Sequence, residues 1–158
     1  FVRVGSLVPM RWDELDYKND LWTIPAIRMK GKKEHLVPLT SQIKRLLDYI
    51  RQFNGEEDYV FWSPRNKARP HINESALNNH LKVGLGYGGK QTAHGLRQLP
   101  LTAGQDVLDF PPEIIQRQMA HAIGDRIRMA YDKSQQLEER RMFMDAWSDA
   151  LIAHGLKV

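Results

Sequence analysis

Two histidines, an arginine and a tyrosine in the second half of the chain have the types and spacing for chemistry on a phosphate diester. His94 and Arg97 stand three apart in HGLR, His121 follows in AH, and Tyr131 closes the set in MAYDK. A tyrosine hydroxyl is a nucleophile once deprotonated, and imidazoles move or donate protons. A guanidinium offers a fork of permanently charged donors to phosphate oxygens. Positions i and i+3 share a helix face, so a helix through HGLR would aim His94 and Arg97 the same way. Any one of these residues alone reads more naturally as packing or surface; their order and company carry the argument.

The elements that must position this set are mixed in type. Residues 1–11 read as the end of a helix, with Val2, Leu7 and Met10 toward a core, Arg3 and Arg11 projecting, and Pro9 working against a longer helix. The period then changes. WDELDYKND gives a short strand and a turn at Lys18–Asp20. LWTIPAIRMK alternates with Trp22, Ile24 and Ala26 on one side, and GKKEHLVPL turns at Gly31 into a return strand through Leu36, Val37 and Leu39. The tip of this antiparallel meander carries Lys30, Lys32 and Lys33, either a solvated turn or a loop that reaches a nucleic-acid backbone.

Thr40 caps a predicted helix with Ile43, Leu46, Leu47 and Ile50 at helical spacing, ended by Asn54-Gly55. Tyr59–Trp62 reads as a buried extended run, SPRNKARPH as a loop, and Asn73 as the cap of a helix over 74–83. A helix from about Thr92 to Ala103 contains Pro100, which predicts a kink or an early stop. Pro111-Pro112-Glu113 starts another that runs to His121 and stops at Gly124. After a basic turn with Arg126 and Arg128, a last helix spans 134–153. Leu137, Met144, Trp147 and Leu151 form its stripe, with Phe143 and Ala150 beside it.

Length and composition bound the rest. The 158 residues suit one domain, the hydrophobic fraction is 42%, and the net charge of +4 permits a polyanionic partner without requiring one. No cysteine is present, which removes disulfides and thiolate metal sites. No apolar run approaches the length of a membrane span. The histidines lack paired carboxylates at ligand spacing, so no metal site is expected and a metal-dependent nuclease is disfavoured. The opening FVRVGSL, with Phe1 in first position, reads as a fragment of a longer protein.

Arg3 in FVRVGSL, Lys30 in RMKGKKEHLVPL, HGLR at 94–97, AH at 120–121 and Tyr131 in MAYDK fall in the order used by tyrosine recombinases, the phage integrase family. WTIPAIRMK…EHLVPL and YDKSQQLEERRMFMDAWSDAL resemble the prophage-type integrases, and the resemblance extends over nearly all of the chain. It implies an α+β fold, mainly α-helical with a small three-stranded antiparallel sheet, and it makes residues 1–158 a C-terminal catalytic domain without its arm-binding and core-binding domains.

The resemblance also implies roles. Arg3 and Arg97 would clamp the nonbridging oxygens of a DNA phosphate, and Tyr131 would attack it. Lys30 would protonate the leaving 5′ oxygen, with Lys32 as the alternative, His94 would handle the tyrosine proton, and His121 would donate to a nonbridging oxygen. Lys32, Lys33, Arg126 and Arg128 are the candidate DNA contacts. The implied activity is site-specific cleavage and rejoining through a 3′-phosphotyrosyl link, for integration and excision of a prophage or genomic island. The implied partners are double-stranded attachment sites, and a homotetramer on DNA that exchanges the C-terminal helix; the isolated fragment would be a monomer. The setting would be the bacterial cytoplasm and its nucleoid.

Three features depart from the family pattern, the first being Val4, where a proline usually follows the first arginine. Ser6 stands where an acid usually helps hold the first arginine, and Pro100 falls where small helix formers are usual. Ser6, Pro100 and the fragment-like start motivate one competing reading, a catalytically decayed DNA-binding remnant. A type IB topoisomerase-like nicking and closing activity would use the same residues.

Overall fold

The structure, a computed structural model, describes residues 1–65, 67–68, 70–121 and 136–158. Its sheet is the predicted meander. Strands β1 (Leu15–Asp16), β2 (Leu21–Ile24) and β3 (His35–Pro38) lie in that order, each antiparallel to the next. Trp22 pairs with Val37 and Ile24 with His35, which sets all four on one face, and all four are buried. Ala26 does not continue the alternation. Pro25 brings no N–H to a ladder, and Ala26–Arg28 instead forms a 3-10 turn. At the tip the left-handed position is Lys32 (φ 50°), not Gly31.

Six helices surround the sheet among the described residues. Helix α1 (Val4–Leu7) is a single turn, shorter than predicted, while Met10 enters the core as expected. Helix α2 (Ser41–Asn54) is capped by Thr40, whose Oγ1 accepts from the Ile43 amide at 3.3 Å. Leu47 is buried, but Leu46 faces outward with Tyr49 and Phe53. Helix α3 (Glu74–Asn79) is capped by Asn73 and loosens into a π turn over His80–Gly84.

Helix α4 (Ala93–Asp106) does not stop at Pro100 but runs three residues past the predicted end. Pro100 is buried, and tertiary packing outweighs the local penalty of about 3 kcal/mol for an internal proline. At Gly104 that packing leaves no room for a side chain. A Cβ there would lie 2.8 Å from Ile115 Cδ1 and 3.0 Å from Phe143 Cε2. Gly104→Val should therefore cost about 1–3 kcal/mol by overpacking, measurable by thermal or denaturant unfolding.

Helix α5 (Pro112–Gln118) starts on its prolines as expected but ends before His121. Ala120 takes a left-handed conformation (φ 51°), the Ala120 amide donates to the Arg117 carbonyl, and the His121 amide reaches back to the Gln116 carbonyl at 2.9 Å. This is a Schellman ending, and it turns His121 out of the helix. Helix α6 (Leu137–Ala153) is the last; the predicted start at Ser134, like the stop at Gly124, lies outside the described residues. Phe143 and Met144 are buried as the stripe predicts, whereas Leu151 is 38% exposed.

Two apolar clusters result. One joins the sheet to α2 through Met10, Trp22, Ile24, Val37, Leu47 and Val60. The other joins α5 and α6 through Ile114, Ile115, Met119 and Phe143, with Leu101 of α4 against it. Between them lies a polar seam. His35 Nε2 donates to the Gln118 carbonyl at 3.1 Å, and Arg140 donates to the Leu36 carbonyl and, at 2.8 Å, to Gln118 Oε1.

Burial, and then the charge of Arg140, lower the pKa of His35 from 6.5 to about 4. Above pH 6.5 its ring is neutral in both the folded and the unfolded chain. As pH falls from 6.5 to 4, the unfolded chain takes up a proton that the folded chain refuses. Stability therefore falls, by about 3 kcal/mol once pH is below 4. Unfolding curves across that range should show this slope, and His35→Gln should flatten it.

Candidate active site

Helix α4 presents two of the expected residues because its first turn is fixed twice. Thr92 Oγ1 accepts from the Gly95 amide at 2.9 Å, and Asn78 Oδ1 of α3 accepts from the Ala93 amide at 2.9 Å. One turn on, His94 and Arg97 project together. His94 is exposed, and its Nε2 accepts from the Gln98 side-chain Nε2 at 3.2 Å.

Arg97 is only 5% exposed. Its Nε donates to the Phe1 carbonyl at 2.6 Å, Nη2 to the Met119 carbonyl, and Nη1 to His121 Nε2 at 3.2 Å. Because a guanidinium only donates, His121 Nε2 must be the acceptor and the imidazole proton sits on Nδ1. Burial, then Arg97, then Arg3 lower the pKa of His121, so its ring is neutral at neutral pH. Burial and then Arg3 also lower the pKa of Arg97, which stays charged nonetheless. These are the electrostatics of a site with surplus positive charge, suited to an anion.

Arg3, Lys30, His94 and Arg97 line one cleft of about 590 Å³. They come from three places: the N-cap of α1, the connection between β2 and β3, and the first turns of α4. Arg28 holds the second place against the first. It forms a mostly buried ion pair with Glu14 and donates to the Pro9 carbonyl, and Ser6 Oγ donates to the Arg28 carbonyl at 3.2 Å. Ser6 thus ties the α1 turn to the segment bearing Lys30, which is a bond an acid at that position would not make.

His121 reaches the cleft through Arg97. Lys32 and Lys33 are exposed on the tip and are not among the cleft's lining residues. Tyr131, Arg126 and Arg128 lie outside the described residues. Among the described residues no three His, Asp or Glu side chains gather as a metal site would need, and no helix is long and apolar enough to cross a membrane.

Several residues at the site escape sequence reading. Glu74 is the one carboxylate on the cleft wall among the described residues, and its Oε1 would be 3.0 Å from a Cβ on Gly5. Asn78 holds the start of α4. Gln118 and Arg140 stand behind Met119 and His121. A polar position on α3 or an arginine within the stripe of α6 gives no sign of this by spacing alone.

A family profile described as "Phage integrase family" matches residues 1–138. The chain belongs to the phage integrase family. It is 37% identical over 151 residues to "Prophage integrase IntA" of Escherichia coli (strain K12), a match that spans 96% of this chain and 36% of that protein. It is 32% identical over 150 residues to "Integrase" of Shigella phage Sf6, spanning 95% of this chain and 38% of that protein. Among solved structures, "Integrase from mycobacterium phage Brujita" superposes with a TM-score of 0.61 at 19% identity, covering 91% of this chain and 46% of that one. The last likeness speaks for the fold, which is the α+β arrangement the family resemblance implies. The integrase-family chain thus spans well under half the length of these two curated relatives.

Proposed function

We propose that this chain is the DNA-cleaving and rejoining part of a site-specific recombinase that integrates and excises a prophage or genomic island. The observation that carries the reading is the convergence of Arg3, Lys30, His94 and Arg97 from three separate elements onto one cleft, with His121 hydrogen-bonded to Arg97.

In this reading the two guanidiniums hold the nonbridging oxygens of one DNA phosphate and oppose the charge that builds as a fifth oxygen approaches phosphorus. The Tyr131 phenol loses its proton, by way of His94, and its oxygen bonds to phosphorus. The bond from phosphorus to the 5′ oxygen breaks, and Lys30 gives that oxygen a proton. The products are a 3′-phosphotyrosyl link and a free 5′ hydroxyl. Rejoining is the reverse attack by a 5′ hydroxyl, with no change in the number of phosphoester bonds and no cofactor. His121 begins neutral with Nε2 engaged by Arg97 and serves as a donor to the phosphate once that contact rearranges.

Lys32, Lys33, Arg126 and Arg128 contact the duplex backbone around the cleaved site. The whole protein acts as a tetramer on paired attachment sites in the bacterial cytoplasm, exchanging C-terminal segments between neighbours. The exposed Leu151 and Ile152 in the last turn of α6, with Leu156 and Val158 after it, support that exchange, since they offer apolar surface for a neighbour to cover. Alone, residues 1–158 are a monomer.

The test is to mix the full-length protein with a nicked suicide substrate built on the element's own junction sequence. A covalent protein–DNA adduct that resists denaturant is the expected result. Duplex binding without any adduct would refute the reading and leave the DNA-binding remnant. Relaxation of supercoiled plasmid lacking the junction, at the same rate as plasmid bearing it, would assign a nicking and closing activity instead.

A further inference from the structure

We propose that Arg140 and Gln118 are positioning residues that hold the Arg97–His121 pair in register, so that α6 braces the site from behind. The inference rests on the reading of Arg97 given above, and it deepens that reading. Four consecutive residues, 118–121, connect the two sides. Toward the cleft, the Met119 carbonyl and His121 Nε2 both accept from Arg97. Away from it, Gln118 Oε1 accepts from Arg140 Nε at 2.8 Å and the Gln118 carbonyl accepts from His35 Nε2 at 3.1 Å. Arg140 also donates to the Leu36 carbonyl, which anchors the same guanidinium to β3.

The arrangement is rigid for physical reasons. Arg140 is 1% exposed and Gln118 fully buried, so these hydrogen bonds lie out of reach of competing water. The segment they fix is itself a tight ending. Ala120 is left-handed, and the His121 amide is tied to the Gln116 carbonyl. A shift of Gln118 along its bond to Arg140 is therefore passed to Met119 and His121, two of the three partners that aim Arg97. A clamp displaced by about 1 Å can lose as much as a hundredfold in rate, which makes a residue that never meets DNA important to the chemistry.

A second buried bond supplies a control. Thr40 Oγ1 and Ser148 Oγ stand 3.1 Å apart and join α6 to the start of α2, with no link to 118–121. Three variants of the full-length protein separate positioning from general stability: Gln118→Leu, Arg140→Lys and Ser148→Ala. Three quantities are read for each. They are the single-turnover rate of adduct formation at saturating nicked substrate, the Kd for uncleaved duplex, and the thermal midpoint.

Gln118→Leu and Arg140→Lys should slow adduct formation about tenfold or more, with Kd for duplex changed little. Ser148→Ala should lower the thermal midpoint yet cleave at the wild-type rate. Arg140→Lys retains the charge but lacks the fork that reaches both Gln118 and Leu36, so its slower cleavage would identify geometry as the cause. Wild-type rates in Gln118→Leu, or a loss in Ser148→Ala equal to that in Gln118→Leu, would overturn the proposal.

A readout independent of cleavage keeps the two readings apart. The Arg97 Nε–H should give a slowly exchanging NMR resonance, identified by its loss in Arg97→Lys. Gln118→Leu should broaden it or speed its exchange, and Ser148→Ala should not. An unchanged resonance in Gln118→Leu would also overturn the proposal, whether or not the wild-type protein forms an adduct.

Discussion

Arg97→Ala is expected to lower the rate of DNA cleavage by about a thousandfold or more and to weaken the fold at the same time. Both effects follow from where the side chain sits. It is 5% exposed, lines the cleft, and donates to two backbone carbonyls and to His121. Truncation removes a charged fork from the phosphate and leaves the Phe1 and Met119 carbonyls without that donor, at about 1–3 kcal/mol for each buried group left unpaired. His121 would also lose the charge that contributes to its lowered pKa. Arg97→Lys separates the two effects. The charge remains while the planar fork is lost, so duplex affinity should hold and the single-turnover rate should still fall steeply. If Arg97→Lys cleaved at the wild-type rate, the geometry of the guanidinium would not matter and its place in the clamp would be wrong.

Tyr131→Phe should abolish the covalent adduct altogether while leaving duplex binding within about twofold. The substitution removes one oxygen and no charge, so no electrostatic contact with phosphate is lost. No other group in the proposed site replaces a phenolic oxygen as a nucleophile. His94→Gln offers a graded comparison, since proton transfer typically contributes about a hundredfold to ten-thousandfold and its loss leaves attack slow but present. An adduct that persists in Tyr131→Phe would move the nucleophile elsewhere.

Much of the fold was legible because its signals are local. The alternation of Trp22 and Ile24, the cap at Thr40 and the cap at Asn73 each depend on a few adjacent residues, and each appears in the structure. The departures come where distant packing decides. Helix α4 passes Pro100 because Gly104 lets Ile115 and Phe143 close on it. Helix α5 ends early because Ala120 turns left-handed, a conformation the sequence marks with no glycine. The site divides the same way. His94 and Arg97 share a face by spacing alone, and Lys30 and Arg3 entered through the family pattern. Arg140, by contrast, sits in the apolar register of an amphipathic helix, and only its burial against Gln118 and Leu36 distinguishes it from a surface arginine. Ser6, which in sequence looked like a missing acid, proves to be a hydroxyl with its own partner in the Arg28 carbonyl.

The identity of the bond between protein and DNA decides whether Tyr131 is the nucleophile. Full-length protein trapped on a nicked substrate can be digested with protease and nuclease, and the residual peptide–nucleotide sequenced by mass spectrometry. The expected product is a nucleotide joined by its 3′ phosphate to the peptide that contains Tyr131. A link to any other residue, or a link through a 5′ phosphate, would contradict it.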